Sequence, residues 1–236
     1  YSGAGVSGAQ FTAATAGVGP HYIYYSYTNA NSCTAVDSSF VAVASAPNVS
    51  FSGLSAVCLN TAAFALSGGS PSGGTYSGTG VSSGSFNPAT AGVGNHTITY
   101  SYTDQNTGCQ GTATQSITVN ALPAAVITAS TGTVLCSGSN VNLTTTAVNG
   151  VSYQWLQNGN TVTTLATGNT SYSAVATGSY TLFASASGCT NTSTAVNITS
   201  GTTPTASINS TTTQFCPGSS VTLSSSLSGN ETIAWY

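Results

Sequence analysis

The chain has 236 residues with no Lys or Arg, three acids (Asp37, Asp104, Glu231) and a formal charge of −3, where an ordinary domain is about a quarter charged. Without a basic side chain nothing neutralises phosphate, so nucleic acids and anionic lipid lose their main source of affinity, and lysine chemistry such as Schiff bases and phosphate loops is absent. Hydrophobic residues make up 40% of the chain, so it can bury a core, and stability must come from that burial, from backbone hydrogen bonds and from crosslinks.

Serine and threonine fill roughly a third of the positions and there are 27 glycines, the composition of short strands and tight turns. Residues 1–27, YSGAGVSGAQFTAATAGVGPHYIYYSY, return at 76–102 as YSGTGVSSGSFNPATAGVGNHTITYSY, an offset of 75. One inserted residue raises the offset to 76, so that Cys33 matches Cys109 and Pro47 matches Pro123. In the later copy His96, Ile98, Tyr100 and Tyr102 alternate with Thr97, Thr99, Ser101 and Thr103. This period of two predicts a strand with rings and Ile on one face and hydroxyls on the other. In the first copy His21, Ile23, Tyr25 and Tyr27 take the ring face. Tyr22 and Tyr24 then fall on the hydroxyl side, as the candidate exposed contacts. After a turn at 106–108, residues 113–119 predict the returning strand of an antiparallel hairpin.

A different repeat follows. Residues 136–155, CSGSNVNLTTTAVNGVSYQW, match 216–235, CPGSSVTLSSSLSGNETIAW, at an offset of 80. Strands predicted at 151–156 and 161–165 flank Asn158-Gly159, a pair suited to the positive φ angles of a type I′ turn. A further hairpin is predicted from 178–186 and 193–198. Seven or so short strands in about 80 residues is the count of a β-sandwich. Pro47, Pro123 and Pro204 lie near the junctions, where a residue without an N–H ends strand pairing. The layout reads as a partial module at 1–46, a complete one of the same type at 47–123, a complete one of a second type at 124–203, and the start of its copy at 204–236. Both ends fall inside modules, so the sequence reads as a window on a longer protein.

Six cysteines without CxxC pairs or metal-site clusters suit an oxidising compartment and an extracellular location. The repeats favour pairing within each complete module, Cys58 with Cys109 and Cys136 with Cys189. Cys33 and Cys216, the homologues of Cys109 and Cys136 in the truncated modules, are then unpaired within this window. A bridge between Cys33 and Cys216, or free thiols, are the alternatives.

No constellation of residues carries catalysis, so no enzyme and no cofactor is expected. His21 and His96 occupy equivalent strand starts with no acid or cysteine beside them, which predicts a packing role. SGGSPSGG resembles a nucleophile elbow only superficially, with no His and acid in order. Calcium wants six to eight oxygens, usually from several carboxylates; three isolated acids leave at most a weak calcium site built on backbone carbonyls. Trp155 and Trp235 are repeat equivalents predicted in the core. No stretch approaches the ~20 apolar residues of a membrane span.

The second module, with VCLN, FALSGGSPSGGTYSGTGV, FNPATAGVGNHTITYSYTD and a GC followed by TATQSITV, resembles the repeat modules of very large secreted surface proteins of Bacteroidetes bacteria. The third, with LCSGSNVNLTTT, YQWLQNG, TGSYTLFASASGCT and STAVNIT, resembles the immunoglobulin-like modules of the same proteins. The resemblance covers essentially the whole chain. It implies an all-β fold of tandem immunoglobulin-like β-sandwiches strung as beads, and export, typically by the type IX route with a C-terminal sorting domain that lies outside this window. It also implies service as an adhesin or extracellular stalk. Unlike antibody-type domains, whose cysteines face each other across the core, Cys136 precedes the strand at 141–145 and Cys189 follows the strand carrying Tyr180. The bridge is therefore expected to staple one end of the sandwich.

The expected function is a structural and adhesive segment of a large extracellular surface protein: a disulfide-stapled stalk or fibre, self-assembling into filaments. Its expected partners are neighbouring modules, copies of itself and surface glycans, with no nucleic acid and no membrane insertion. The alternative is an array of carbohydrate-binding modules accompanying an enzyme elsewhere in the chain.

Overall fold

The computed structural model describes residues 1–130 and 132–202, together with Ile208–Asn209, Gln214, Pro217 and Ser224–Ser225. Contacts divide the chain into two units, Tyr1–Ala121 and Leu122–Tyr236.

In the first unit the sequence repeat is also a structural one. β1 (Val6–Ser7) pairs with β2 (Gln10–Phe11), a single helical turn α1 (Ala13–Ala16) follows, and β3 (Gly19–Thr28) and β4 (Thr34–Val43) form a long antiparallel hairpin. The next stretch supplies β5 (Ser50–Phe51), β6 (Val57–Cys58), β7 (Phe64–Ala65), β8 (Gly69–Ser70) and β9 (Thr75–Ser77). The first pattern then recurs as β10 (Val81–Ser82), β11 (Ser85–Phe86), the turn α2 (Pro88–Ala91) and the hairpin of β12 (Gly94–Thr103) and β13 (Gln110–Asn120). The main sheet runs β6-β13-β12-β9, while β10, β11 and β7 form a second sheet and β5 pairs with β8.

The ring face of β12 and β13 builds the core. Phe86, Ile98, Tyr100, Ile117 and Val119 are buried with Phe51 and Leu66. Tyr100 lies against Tyr76 with centroids 4.8 Å apart. Its hydroxyl donates to the Pro71 carbonyl and accepts the Gly74 N–H at 2.8 Å, so the buried phenol keeps its hydrogen bonds. Two glycines admit this ring: a Cβ at Gly69 or Gly74 would stand 2.6 or 2.5 Å from it.

The helical turns are additions to the all-strand reading, and one is legible in retrospect. Asn87 accepts the N–H groups of Ala89 and Thr90 at 3.1 and 3.4 Å, and Pro88 begins the turn, where its missing N–H costs nothing. Thr12 has nearly the same backbone angles but makes no side-chain cap.

The second unit contains β14 (Thr128–Ala129), β15 (Val134–Leu135), β16 (Val141–Thr144), β17 (Ser152–Gln157), β18 (Asn160–Thr161), β19 (Ser171–Ala174), β20 (Gly178–Ala186), β21 (Cys189–Thr192) and β22 (Val196–Ser200). One sheet is β14-β16-β19; the other runs β15-β22-β20-β17-β18, with β21 also paired to β20. Between them lie Trp155, Tyr153, Leu143 and Leu182, all 0% exposed. The indole of Trp155 donates to the Asn169 carbonyl at 3.0 Å. The fold is all-β, as expected, and the second unit is a sandwich of two sheets around one core. Asn158 and Gly159 take φ of 50° and 80° at the β17–β18 turn, as a type I′ turn requires.

The return expected at 193–198 is β22, which pairs with the start of β20, and an additional strand, β21, pairs with the end of β20. The module expected at 204–236, with Cys216, Glu231 and Trp235, lies outside the described residues apart from Gln214, Pro217 and the pair of β23 (Ile208–Asn209) and β24 (Ser224–Ser225).

Candidate functional site

Each complete sandwich takes the chain in at one end and releases it at the other, and its cysteines mark those ends. Pro47 and Val49 cover Gly111 near the start of β13, where a Cβ would lie 2.6 Å from the Pro47 carbonyl. The sulfur of Cys109 is there too, 3.8 Å from the carbonyl of Ala44. Cys58 stands opposite Asn120, at the far end of the same strand. In the second unit the amide of Asn191 donates to the Pro123 carbonyl at 3.0 Å, and Cys189, opposite Ala186, shares this incoming end. At the outgoing end Ser200 lies opposite Leu135. A Cβ on Gly201 would be 3.3 Å from the sulfur of Cys136.

This geometry corrects the expected pairing. Cys33, Cys109 and Cys136 are free thiols, whereas Cys58 and Cys189 are disulfide-bonded. Neither Cys58–Cys109 nor Cys136–Cys189 forms. Strand rise places Cys58 and Cys109 on the order of 35 Å apart, and Cys136 and Cys189 roughly 25 Å or more, against the ~7 Å limit between Cα atoms of a bridge. The expectation that a Cys136–Cys189 bridge staples one end of its sandwich fails for the same reason.

The aromatic residues that distinguish the two hairpins lie on their outward faces. Along β3 and β4 the outward cross-strand pairs are Pro20–Ala42, Tyr22–Phe40, Tyr24–Ser38, Ser26–Val36 and Thr28–Thr34. Along β12 and β13 the same positions hold Asn95–Thr118, Thr97–Ser116, Thr99–Thr114, Ser101–Thr112 and Thr103–Gln110. Tyr22, Phe40 and Tyr24 are 56%, 57% and 44% exposed, and the Tyr22 and Phe40 rings meet edge to face with centroids 5.6 Å apart. Sequence reading singled out the two tyrosines and missed Phe40. Its signal was present, since the offset of 76 aligns Phe40 with Ser116, but only the strand register sets it beside Tyr22.

The other candidate groups serve structure. Nε2 of His21 lies 2.7 Å from the Gly17 carbonyl, and Nε2 of His96 lies 2.9 Å from that of Gly92. Each ring N–H ties a strand start to the preceding helical turn. Asp104 accepts the Thr107 and Asn106 N–H groups at 2.9 Å and the Thr107 hydroxyl at 3.2 Å, which hold its carboxyl below the usual carboxylate range. Asn29 does the same work in the first copy, accepting the N–H groups of Asn31 and Cys33 at 3.0 Å. Among the described residues no three His, Cys, Asp or Glu side chains gather as metal ligands would, and no helix is long and apolar enough to cross a membrane.

No protein-family model matches the sequence, and no curated protein does. Among solved structures, similar ones include murine CEACAM1b, at 22% identity with a TM-score of 0.30 over 46% of this chain and 58% of that one. A Ca2+-stabilized adhesin with which an Antarctic bacterium binds ice is similar at 16% identity and a TM-score of 0.32, over 80% of this chain and 59% of that one. The N-terminal eight Ig domains of Down Syndrome Cell Adhesion Molecule are similar at 12% identity and a TM-score of 0.44, over 80% and 32%. The chain thus spans less than two thirds of the length of each of these structures.

Proposed function

We propose that this chain is a structural and adhesive segment of a large extracellular surface protein, a stalk or fibre of tandem β-sandwiches at 1–46, 47–123, 124–203 and 204–236. The observation that carries this reading is the passage of the chain through each complete sandwich, in at one end and out at the other. Pull on such a chain runs along the strands, where a hairpin like β12–β13 resists with ten cross-strand pairs loaded together. Cys109 and Cys136 are free thiols, so this reading does without a bridge that closes either module on itself. Disulfide bonding of Cys58 and Cys189 suits an oxidising, extracellular location. The scarcity of charge supports lateral assembly into filaments, because lysines, a common guard of exposed strand edges, are missing throughout.

Two measurements test this reading. Under load, the 236-residue chain is expected to unfold in steps, each module of about 80 residues releasing on the order of 25 nm of chain; a single all-or-none event would overturn it. A mass map of nonreduced fragments is expected to show Cys109 and Cys136 unjoined to Cys58 and Cys189 respectively. A Cys58–Cys109 fragment would show that module closed on itself after all.

A further inference from the structure

We propose that the outward face of the β3–β4 hairpin binds a neutral carbohydrate chain, with Tyr22, Tyr24 and Phe40 as its ring platform. This rests on the adhesive reading above and deepens it by naming what is held.

The argument begins from the internal repeat, which supplies its own control. Two hairpins share fold and register, and in one the five outward pairs are all Thr, Ser, Asn or Gln. That face therefore needs no aromatic residue in order to fold. In the other hairpin the same face carries two tyrosines, a phenylalanine, Val36, Pro20 and Ala42, with Tyr22, Phe40, Tyr24 and Val36 all left exposed. Holding such residues in water gives the fold nothing, and a cluster of them on one face marks a contact surface.

Charge and area identify the occupant. None of the ten outward residues is Asp, Glu, His, Lys or Arg, and Asp37, paired with Tyr25, belongs to the inward face. An anionic or cationic ligand finds no countercharge there, while a neutral one loses nothing. A two-stranded ribbon ten residues long offers roughly 300 Å² on one face, against the ~800 Å² per partner of a stable protein interface. A ligand a few rings wide fits this area, and a second protein is short of surface. The chemistry agrees: Tyr22 and Tyr24 are about 7 Å apart along the strand. The negative faces of their rings attract the weakly positive C–H faces of a sugar. Ser26 and Ser38, with the two phenol groups, offer donors and acceptors to its hydroxyls.

The test is co-sedimentation of the 236-residue chain with four insoluble neutral polysaccharides: cellulose, a β-1,3-glucan, a mannan and chitin. Retention on at least one is expected, equal at low and high salt because no charges are involved. The triple variant Tyr22→Thr, Tyr24→Thr, Phe40→Ser installs the residues of the second hairpin, so it keeps the fold, checked by an unchanged melting curve. It is expected to weaken retention tenfold or more. Placing the rings on the second hairpin, by Thr97→Tyr, Thr99→Tyr and Ser116→Phe, is expected to strengthen it. Absence of retention on all four polymers, or retention indifferent to the triple variant, would overturn the proposal. So would a concentration-dependent dimer that the triple variant abolishes, since the face would then belong to a second copy of the chain. Stepwise unfolding under load does not involve these rings, so the stalk reading stands or falls separately.

Discussion

The β3–β4 and β12–β13 hairpins run through equivalent registers, ten cross-strand pairs each, and keep nearly the same inward contacts. Phe11 meets His21 at 6.3 Å as Phe86 meets His96 at 6.3 Å, and Tyr1 meets Tyr25 at 5.0 Å as Tyr76 meets Tyr100 at 4.8 Å. In both copies a glycine lets the helical turn approach, since a Cβ at Gly5 or Gly80 would fall 2.6 Å from Ala16 or Ala91. Outward, four of the five pairs in the first hairpin gain an apolar or aromatic member where the second has only polar ones. The inward face answers to packing, where a changed volume is felt at once. The outward face answers only to water, and is free to carry whatever the surface contacts.

That division predicts where the two copies respond differently to the same change. Phe86 is 0% exposed and Phe11 only half-buried. Phe86→Ala is expected to cost the first unit about 3–5 kcal/mol in urea unfolding, and Phe11→Ala about half of that or less. Equal losses would mean that the first copy is packed as tightly as the second. Next in size is the helical turn. Asn87→Ala removes the acceptor of two N–H groups and should cost about 1 kcal/mol. Thr12→Ala removes no side-chain cap and should cost a few tenths at most.

The smallest difference is in pH. The lowered carboxyl of Asp104 contributes stability that is complete above the ordinary carboxylate pKa and lost as the pH falls through the lowered value. Amide exchange at Thr107 is therefore expected to quicken on acidification relative to Cys33, whose N–H is held by the neutral amide of Asn29. Identical pH profiles at the two turns would show that Asp104 holds its turn no better when ionised.

Much of the molecule was legible in sequence because its signals are local. The alternation from His96 to Tyr102 named a strand and its buried face, Asn158-Gly159 named a turn, and Trp155 was read as core from its repeated position. The helical turn at Pro88 was missed although Asn87, Pro88 and Gly92 signal it, since a repeat rich in Gly and Thr reads as strand. The cysteine pairing failed for a different reason. Repeat arithmetic counts cysteines within a module and cannot measure along it: Cys109 immediately precedes β13, and Asn120, the partner of Cys58, ends it.

By itself, then, the sequence determined the class of fold, the repeat and the inward faces, because period and propensity act between residues near in the chain. Only the tertiary structure decided which residues far apart in sequence stand together. Strand register put Phe40 beside Tyr22, and strand length held Cys58 away from Cys109. Register and length are set by many backbone hydrogen bonds acting at once, and no short stretch of sequence contains them.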